Sequence, residues 1–411
     1  MLNELLQRDF IYLDGAMGSL LQSKGLKGGK RPETMNMTAP EAVYEIHRQY
    51  ADAGSDILFA NTFGANERAM RSTGYSVSEI ITEAIGIAKK AGGGKTLTAL
   101  DIGPTGVFIK PFGKLTFEES YALYREEATA GEAAGADLAA IEAMSDLLEM
   151  KAAILAVREN TKLPIFATMT FEKRGRTFTG CRPESFAVMA ERLGVTAVGI
   201  NCSLSPKDIY PAAEKIARIT ALPLIVKPNA GLPNGLTKKY DTDAGDFAEQ
   251  MAMYAALGVK IVGGCCGTTP EYIDALRRVY ASLKPQVFQK ETGLFICAPM
   301  HTESLDDYTF ERPQVGEGMV PESTVNMALE QDDNGARIIM VCLPKSPEQA
   351  LDALRAVVEQ CDKPLHLISD STEALSAALR EVPGIAAVTS PKGNTAALSN
   401  AETGFGAVIL Q

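Results

Sequence analysis

The chain has 411 residues, of which 46% are hydrophobic, and its formal net charge at pH 7 is -11. This length suffices for one large barrel plus a smaller domain, or for two or three ordinary domains. The acidic balance argues against a nucleic-acid or anionic-membrane partner, and no apolar run approaches membrane-spanning length or resembles a signal peptide. We therefore expect a soluble, cytoplasmic protein.

Short runs of β-forming residues alternate with helical segments through the first 285 residues. This alternation is typical of a parallel sheet with crossover helices, and eight such runs within about 285 residues match a (β/α)8 barrel. We predict an α/β protein with a TIM barrel over residues 1–285 and a second, smaller α/β domain resembling a partial barrel. The predicted barrel strands cover residues 10–15, 56–63, 96–103, 138–144, 164–171, 197–203, 223–230 and 260–267.

An irregular stretch follows the predicted barrel and contains Pro285, Pro299 and Pro313 with mixed charges and no helical period. We interpret residues 286–322 as a linker to a domain at 323–411. The elements predicted beyond the barrel are helices at 325–335, 347–360 and 372–381, strands at 337–343, 364–369, 385–390 and 407–410, and a weak strand near Val315.

The second domain has too few predicted strands to close another barrel, since about five are predicted and a closed barrel of this kind needs about eight. Unpaired strand edges promote aggregation, so native proteins cover them or pair them. We expect this domain to be a docking or dimerisation module, either in a homodimer or for a partner protein.

Three of the seven cysteines stand at predicted strand ends: Cys202 at the sixth, and Cys265 with Cys266 at the eighth. In this fold the carboxyl ends of the strands form the active face, so the three thiolates could converge on one zinc ion and leave a fourth position open. Adjacent residues in a strand face opposite sides, but nearby glycines allow the chain to bend. The alternative is that buried cysteines pack as small hydrophobic residues. That alternative is preferred for Cys181, Cys297, Cys342 and Cys361.

The segments that carry these cysteines, GINCS and GGCCGTTPEYI, resemble the zinc signature of the homocysteine S-methyltransferase family. LDGAMGSLLQ, the segment from PETMN to FGAN, and DIGPTG resemble the homocysteine-binding domain of the cobalamin-dependent methionine synthases. The resemblance covers the whole predicted barrel. It implies a homocysteine S-methyltransferase that forms methionine, with Zn²⁺ bound by the three cysteines.

The resemblance also implies that Asp14 and Glu142 contact the substrate amino group, where acids at strand ends suit an ammonium. The alternatives are that Asp14 shapes a turn and that Glu142 has a surface or capping role. Other substrate-binding candidates are the backbone amides of Gly15, Ala16 and Met17, which suit a carboxylate if they lie at a helix start, and the polar side chains of Thr62, Asn201 and Ser203.

The motifs resemble the corrinoid-dependent enzymes most closely, yet no Asp-x-His-x-x-Gly cobalamin signature occurs in the sequence. A methylated corrinoid (methylcobalamin) would therefore arrive on a separate protein. A sulfonium or quaternary ammonium donor, another small thiol as acceptor, and a non-catalytic zinc-thiolate scaffold remain alternatives.

The C-terminal segment weakly resembles the first half of a pterin-binding barrel. It departs from that pattern at Gly318, Val320, Met340 and Cys342, so we do not expect folate binding. Asp370 is interpreted as a helix cap.

Overall fold

The computed structural model describes residues 1–232, 240–310 and 321–410. The predicted weak strand near Val315 and the departures at Gly318 and Val320 lie outside these residues. By their contacts, the residues form two units: Met1–Phe178 with Val195–Lys290, and Thr179–Gly194 with Glu291–Gln411. Within the described ranges, no helix is both long and apolar enough to span a bilayer.

Eight parallel strands make up the sheet of the first unit, in the order β1-β8-β7-β6-β5-β4-β3-β2. A parallel bridge between Leu13 and Ile57 joins β1 to β2 and closes the ring. The predicted (β/α)8 barrel is therefore confirmed. The strands are β1 Ile11–Tyr12, β2 Ile57–Phe59, β3 Leu97–Ile102, β4 Leu138–Met144, β5 Ile165–Met169, β6 Ala197–Asn201, β7 Leu224–Lys227 and β8 Ile261–Val262.

Six of the twelve helices described in the first 285 residues have a side-chain cap at their amino-terminal end. Ser76 with Glu79 and Thr116 with Glu119 form capping boxes at α6 and α7, which satisfy amides that the first turn of a helix leaves free. The helices are α1 Leu2–Leu5, α2 Gly18–Ser23, α3 Met35–Thr38, α4 Pro40–Ala53, α5 Glu67–Met70, α6 Val77–Gly92, α7 Phe117–Ala133, α8 Leu147–Asn160, α9 Pro183–Arg192, α10 Pro206–Ile219, α11 Ala244–Met251 and α12 Pro270–Tyr280, with 3-10 turns at Pro32–Thr34 and Ala252–Leu257. The contacts of α9 group it with the second unit.

The inside of the barrel is apolar at its amino-terminal end and polar at its carboxyl-terminal end. Alternate residues along the strands, such as Leu97 and Ala99 of β3, form one buried apolar cluster that also contains Leu5 of α1. Because strand side chains alternate between faces, the next inward position on each strand lies above this cluster. Four strands place a buried polar residue there, and β6 places one at the inward position after Gly199. We call this set the polar layer: Asp101, Glu142, Thr168, Asn201 and Lys227.

The second unit contains a four-stranded parallel sheet in the order β11-β12-β13-β14. A separate hairpin, β9 Phe295–Ala298 and β10 His301–Ser304, lies in the stretch that we interpreted as irregular, which corrects that interpretation for these residues. The remaining elements are α13 Pro321–Asp333, β11 Ile339–Cys342, α14 Pro347–Val358, β12 Leu365–Ile368, α15 Thr372–Glu381, β13 Ala387–Thr389, α16 Thr395–Phe405 and β14 Val408–Ile409.

Asp370 does not cap a helix, contrary to the interpretation of the sequence. Ser371 caps α15 through its hydroxyl, which accepts from the Ala374 amide. Asp370 Oδ1 instead accepts hydrogen bonds from Ser390 Oγ at 2.6 Å and from the Lys392 amide at 2.7 Å. It therefore ties together the loops that follow β12 and β13.

Candidate metal and substrate site

The sulfur atoms of Cys202, Cys265 and Cys266 lie within 4.8 Å of one another. Cys202 Sγ and Cys266 Sγ are 3.9 Å apart. Two sulfur ligands bound at about 2.3 Å to a tetrahedral zinc ion are about 3.8 Å apart, so this spacing suits such an ion. Three thiols with no carboxylate among them also match the soft donor set that zinc accepts.

The backbone beyond the ends of β6 and β8 directs these sulfurs. The cysteines lie beyond the ends of β6 and β8, which are both shorter than predicted. Directly after β6, Cys202 and Ser203 adopt positive φ angles of 63° and 70°. That conformation is uncommon outside glycine and ends the strand. The Cys202 amide then donates to the Lys227 carbonyl at 2.9 Å, and the Cys265 amide donates to the Pro228 carbonyl at 2.8 Å.

The glycines around Cys265 and Cys266 act in two ways. Gly267 has a φ of 83°, which allows the chain to turn directly after the paired cysteines. At Gly264 a Cβ atom would lie 2.3 Å from Thr268 Oγ1, so that position needs glycine for space. Both effects let two consecutive side chains approach the same point.

The three thiols form a hydrogen-bonded group that favours ionisation of one member. Hydrogen bonds from Cys202 and Cys265 lower the pKa of Cys266, and the Tyr240 hydroxyl contributes to the same effect. Hydrogen bonding with its two neighbours raises the pKa of Cys265, as does its burial.

Asp14, one of the two predicted acidic contacts, is 2% exposed. Its Oδ2 accepts a hydrogen bond from the Phe59 amide at 2.7 Å, while its Oδ1 is buried with no hydrogen-bond partner in the described part of the chain. Burial raises the pKa of Asp14 to about 7, although the charge of Lys227 opposes this shift. A buried carboxyl oxygen without a partner is free to receive a cationic ligand.

Glu142, the second predicted acidic contact, forms a buried ion pair with Lys227, whose Nζ donates to Glu142 Oε2 at 2.8 Å. The ammonium of Lys227 also lies 3.6 Å from the centre of the Phe59 ring. Sequence reasoning missed Lys227. The available signal was a lysine at an inward-facing position of a strand whose other residues are apolar, since lysine is rarely buried without a partner.

The amide side chain of Asn201 organises the turn after β4. Its Oδ1 accepts from the Ala143 amide at 2.8 Å and from Thr168 Oγ1 at 3.0 Å. Ala143 has a positive φ of 58°, so this bond supports a strained residue next to Glu142. Asn201 Nδ2 also lies 4.0 Å from Cys265 Sγ. Asn201 therefore links the sulfur cluster to the polar layer.

Thr62 and Ser203 are the remaining polar side chains predicted to bind substrate. The Thr62 hydroxyl donates to the Asp101 carbonyl at 2.8 Å and accepts from the Asp101 amide at 3.0 Å, so it is engaged by the backbone of β3. Ser203 lies in the strained turn that carries Cys202. Asp101 was not singled out by the sequence, and its Oδ1 is buried without a hydrogen-bond partner among the described residues.

The loop Gly15–Met17 is held against the end of β8 by two residues that sequence reasoning did not identify. Thr268 Oγ1 accepts from the Ala16 amide at 3.3 Å, and Tyr50 donates from its hydroxyl to the Ala16 carbonyl at 3.0 Å. Met17 is the residue before α2, which begins at Gly18. The loop thus lies at a helix start, as the carboxylate hypothesis requires, but the Ala16 amide already has an acceptor.

Comparisons with known proteins identify a family that matches the barrel of the first unit. The family model described as "Homocysteine S-methyltransferase" matches residues 11–280. The methionine synthase of Mycobacterium tuberculosis is 27% identical over 433 aligned residues, which cover 94% of this chain. The chain spans only 36% of the length of that relative.

Two solved structures share the barrel. The Escherichia coli homocysteine methyltransferase MmuM in its metallated form has a TM-score of 0.56 and 23% identity, covering 67% of this chain and 98% of its own. Its oxidised form has a TM-score of 0.57 and 24% identity, covering 67% and 97%. These similarities concern the fold.

Proposed function

The chain belongs to the homocysteine S-methyltransferase family, and from this we propose that it transfers a methyl group to the sulfur of homocysteine, giving methionine. The observation that carries the proposal is the convergence of Cys202, Cys265 and Cys266 at the carboxyl end of the barrel. We assign the activity to residues 1–285, the predicted barrel.

We propose that the three cysteines hold a zinc ion through their sulfur atoms. Bound there, zinc would supply the positive charge that lowers the pKa of an incoming thiol, which otherwise is mostly protonated at neutral pH. The nucleophile in methyl transfer is the thiolate sulfur of the substrate, which forms a bond to the methyl carbon as the bond to the donor breaks. No side chain is then needed as a general base.

The residues around the cluster would orient the substrate. The free oxygen of Asp14 suits the α-ammonium, and in the Gly15–Met17 loop the backbone amides of Gly15 and Met17 suit the carboxylate, since the Ala16 amide donates to Thr268. Within the polar layer, Glu142 would hold the Lys227 ammonium and Asn201 would hold the turn at Ala143. Ser203 and Thr62 would maintain the turns and strands that support this layer. Burial of this region keeps the ionic contacts in a low-dielectric environment.

We further propose that the methyl donor is a methylated corrinoid carried by a separate protein. The resemblance of the barrel motifs to the corrinoid-dependent enzymes supports this choice over a sulfonium or quaternary ammonium donor. Incubation of the zinc-loaded protein and homocysteine with methylcobalamin, or with S-methylmethionine, separates the two classes. Methionine formed from methylcobalamin is the expected product, and methionine formed only from the sulfonium compound would overturn the choice.

The second unit is proposed to be a docking or dimerisation module. Among the residues that the structure describes, its sheet has β11 and β14 at its two edges, and strand edges can pair with another chain. Sedimentation velocity of the full chain, alone and with a methylated corrinoid protein, should show a dimer or a mixed complex. A monomer under both conditions would contradict this role.

One observation favours a second candidate function. Because Lys227 already engages Glu142, the site could accept a small thiol that lacks an α-ammonium. Isothermal titration of the zinc-loaded chain with homocysteine and with 4-mercaptobutanoate, which is homocysteine without its amino group, distinguishes the two. We expect homocysteine to bind at least about tenfold more tightly, as the loss of one charge-assisted hydrogen bond requires.

A further inference from the structure

The three cysteines of the cluster are partly exposed, so burial alone does not protect their sulfurs from a methyl donor. A thiolate is the reactive form of a thiol, and three ionised cysteines would offer a methyl donor the same chemistry as the substrate sulfur. Methylation of a cysteine would consume the methyl donor and remove a metal ligand. The site therefore needs a feature that distinguishes the protein sulfurs from the sulfur of the substrate.

Asn201 provides such a feature for Cys265. The Asn201 side chain is fully buried, and its Oδ1 accepts two hydrogen bonds, from the Ala143 amide at 2.8 Å and from Thr168 Oγ1 at 3.0 Å. Because only the oxygen of an amide group accepts hydrogen bonds, these two bonds fix the orientation of the group. The other end of the group, Nδ2, then faces Cys265 Sγ at 4.0 Å and donates to it.

Tyr240 has the same relationship with Cys266. Its hydroxyl donates a hydrogen bond to the Cys266 sulfur. The position of the ring depends on Gly267, since a Cβ atom at that residue would lie 2.3 Å from the ring carbons of Tyr240. The glycine that lets the chain turn after the paired cysteines therefore also makes room for this hydrogen-bond donor.

The third sulfur accepts from the backbone. Ser203 follows Cys202 in the turn of positive φ angles, and its amide donates to the Cys202 sulfur. The hydrogen bonds between the thiols are lost when the thiols ionise, whereas amide and hydroxyl donors keep their protons. Each protein sulfur thus retains a hydrogen-bond donor from outside the cluster: Ser203 for Cys202, Asn201 for Cys265 and Tyr240 for Cys266.

We propose that these three donors make the cysteine sulfurs weaker nucleophiles than a substrate sulfur bound beside them, and thereby direct the methyl group to the substrate. A hydrogen bond draws electron density from a thiolate, so it slows the attack of that sulfur on carbon. The donors are positioning residues, since they act through the cysteines. This inference rests on the proposed function, because it assumes a zinc-bound set of three thiolates and a methyl transfer.

Methyl iodide tests the inference, because it methylates thiolates without the need for a binding site. The sulfur forms a bond to the methyl carbon as the carbon–iodine bond breaks, and iodide leaves with the electron pair. In zinc-loaded Tyr240→Phe, methylation of Cys266 should be about 3- to 10-fold faster than in the wild type, the effect of one hydrogen bond on a barrier. Peptide mass spectrometry locates the methyl group, and Cys202 and Cys265 should react at their wild-type rates.

Tyr272→Phe is the matched control. The Tyr272 hydroxyl donates to the Thr242 carbonyl at 2.6 Å, so its removal loosens the segment after Tyr240 but takes no donor from a sulfur. Cys266 should be methylated at the wild-type rate in this variant. Equal acceleration in both variants, or no acceleration in Tyr240→Phe, would overturn the inference.

Replacement of zinc by cobalt(II) gives a readout that a change of shape alone would not move. Loss of a hydrogen bond makes a thiolate sulfur easier to oxidise. The sulfur-to-cobalt charge-transfer band should therefore shift to longer wavelength in Tyr240→Phe and stay in place in Tyr272→Phe. An unshifted band in Tyr240→Phe would mean that the hydroxyl does not act on the sulfur.

The metal content of the wild type separates this inference from the proposed function. A wild type that takes up no zinc would refute both. If zinc binds and Cys266 reacts equally in Tyr240→Phe and the wild type, only this inference fails. Should the variant not fold, the wild type decides: with homocysteine bound, methyl iodide should yield methionine before any S-methylcysteine. Methylation of a cysteine as fast as that of homocysteine would contradict the role of the donors.

Discussion

Lys227 Nζ lies 2.8 Å from Glu142 Oε2, and the two side chains are only 3% and 10% exposed. The two residues are 85 positions apart in the sequence and belong to β7 and β4. A buried ion pair contributes little net stability against an apolar pair, but removal of one partner leaves the other charge uncompensated. The pair should therefore respond asymmetrically to single and double replacement.

Lys227→Met should lower the free energy of unfolding by about 3–5 kcal/mol, because it leaves Glu142 buried without its cation. The double variant Lys227→Met with Glu142→Gln should recover most of this loss. Chemical denaturation of the metal-free proteins measures both. A double variant as unstable as the single one would show that packing of the lysine stem, rather than charge, causes the effect.

Replacement of any one of Cys202, Cys265 and Cys266 by Ala should abolish stoichiometric zinc, which we expect at about one ion per chain. Two remaining sulfurs cannot provide the three protein ligands of this kind of site. Cys361→Ala is the matched control, since Cys361 is a buried cysteine of the second unit. Metal analysis after dialysis measures the outcome, and full zinc content in Cys202→Ala would refute the assignment.

Asp14→Asn and Asp14→Ala should both weaken homocysteine binding, but only the alanine variant should also be destabilised. Asn still offers an oxygen to the Phe59 amide, whereas Ala leaves that buried amide without its acceptor. The additional loss should be about 1–3 kcal/mol in the free energy of unfolding. Paired titration calorimetry and denaturation distinguish the variants, and equal stability of the two would mean that the Phe59 contact is unimportant.

His47 should make stability depend on pH. The side chain is fully buried in α4, its ring nitrogens have no partner among the residues described, and burial lowers its pKa to about 4. The unfolded chain, with a histidine pKa of about 6.5, binds the proton more readily, so folded stability should fall as the pH drops from about 6.5 towards 4.

His47→Leu should flatten this dependence, with a difference in slope of up to about 1.4 kcal/mol per pH unit between the two proteins. Thermal or urea denaturation of both proteins across this window measures the difference. Parallel curves for wild type and variant would exclude His47 as the cause.

The barrel and the sulfur cluster could be predicted because their signals are local. Each strand shows a run of β-forming residues, and Cys202, Cys265 and Cys266 follow two of those runs directly. The predicted strands ended too late in the sequence. In GINCS, for example, no residue type indicates the positive φ angles of Cys202 and Ser203. That conformation depends on backbone bonds to the neighbouring strand β7.

The polar layer could not be predicted in the same way. The pairing of Lys227 with Glu142 and the unpartnered oxygen of Asp101 depend on contacts across the barrel, which a single sequence does not contain. The alternation of residues along β3 and β7 does indicate that Asp101 and Lys227 face the inside of the barrel. Which residues they meet there depends on the register of the strands, which the sequence does not give. The hairpin at 295–304 was missed because its short strands are separated by Pro299 and are followed by the charged residues Asp306 and Asp307.

The barrel closes between β1 and β2 through the Leu13–Ile57 bridge, and two carboxyl groups reinforce this join. Asp56 accepts from the Tyr12 amide at 2.9 Å, and Asp14 accepts from the Phe59 amide at 2.7 Å. One oxygen of Asp14 thus helps to join β1 to β2, while the other is the oxygen that we propose contacts the substrate. Occupancy of the site and protection of the Phe59 amide from hydrogen exchange should consequently rise together, which makes that single amide proton a reporter of substrate binding.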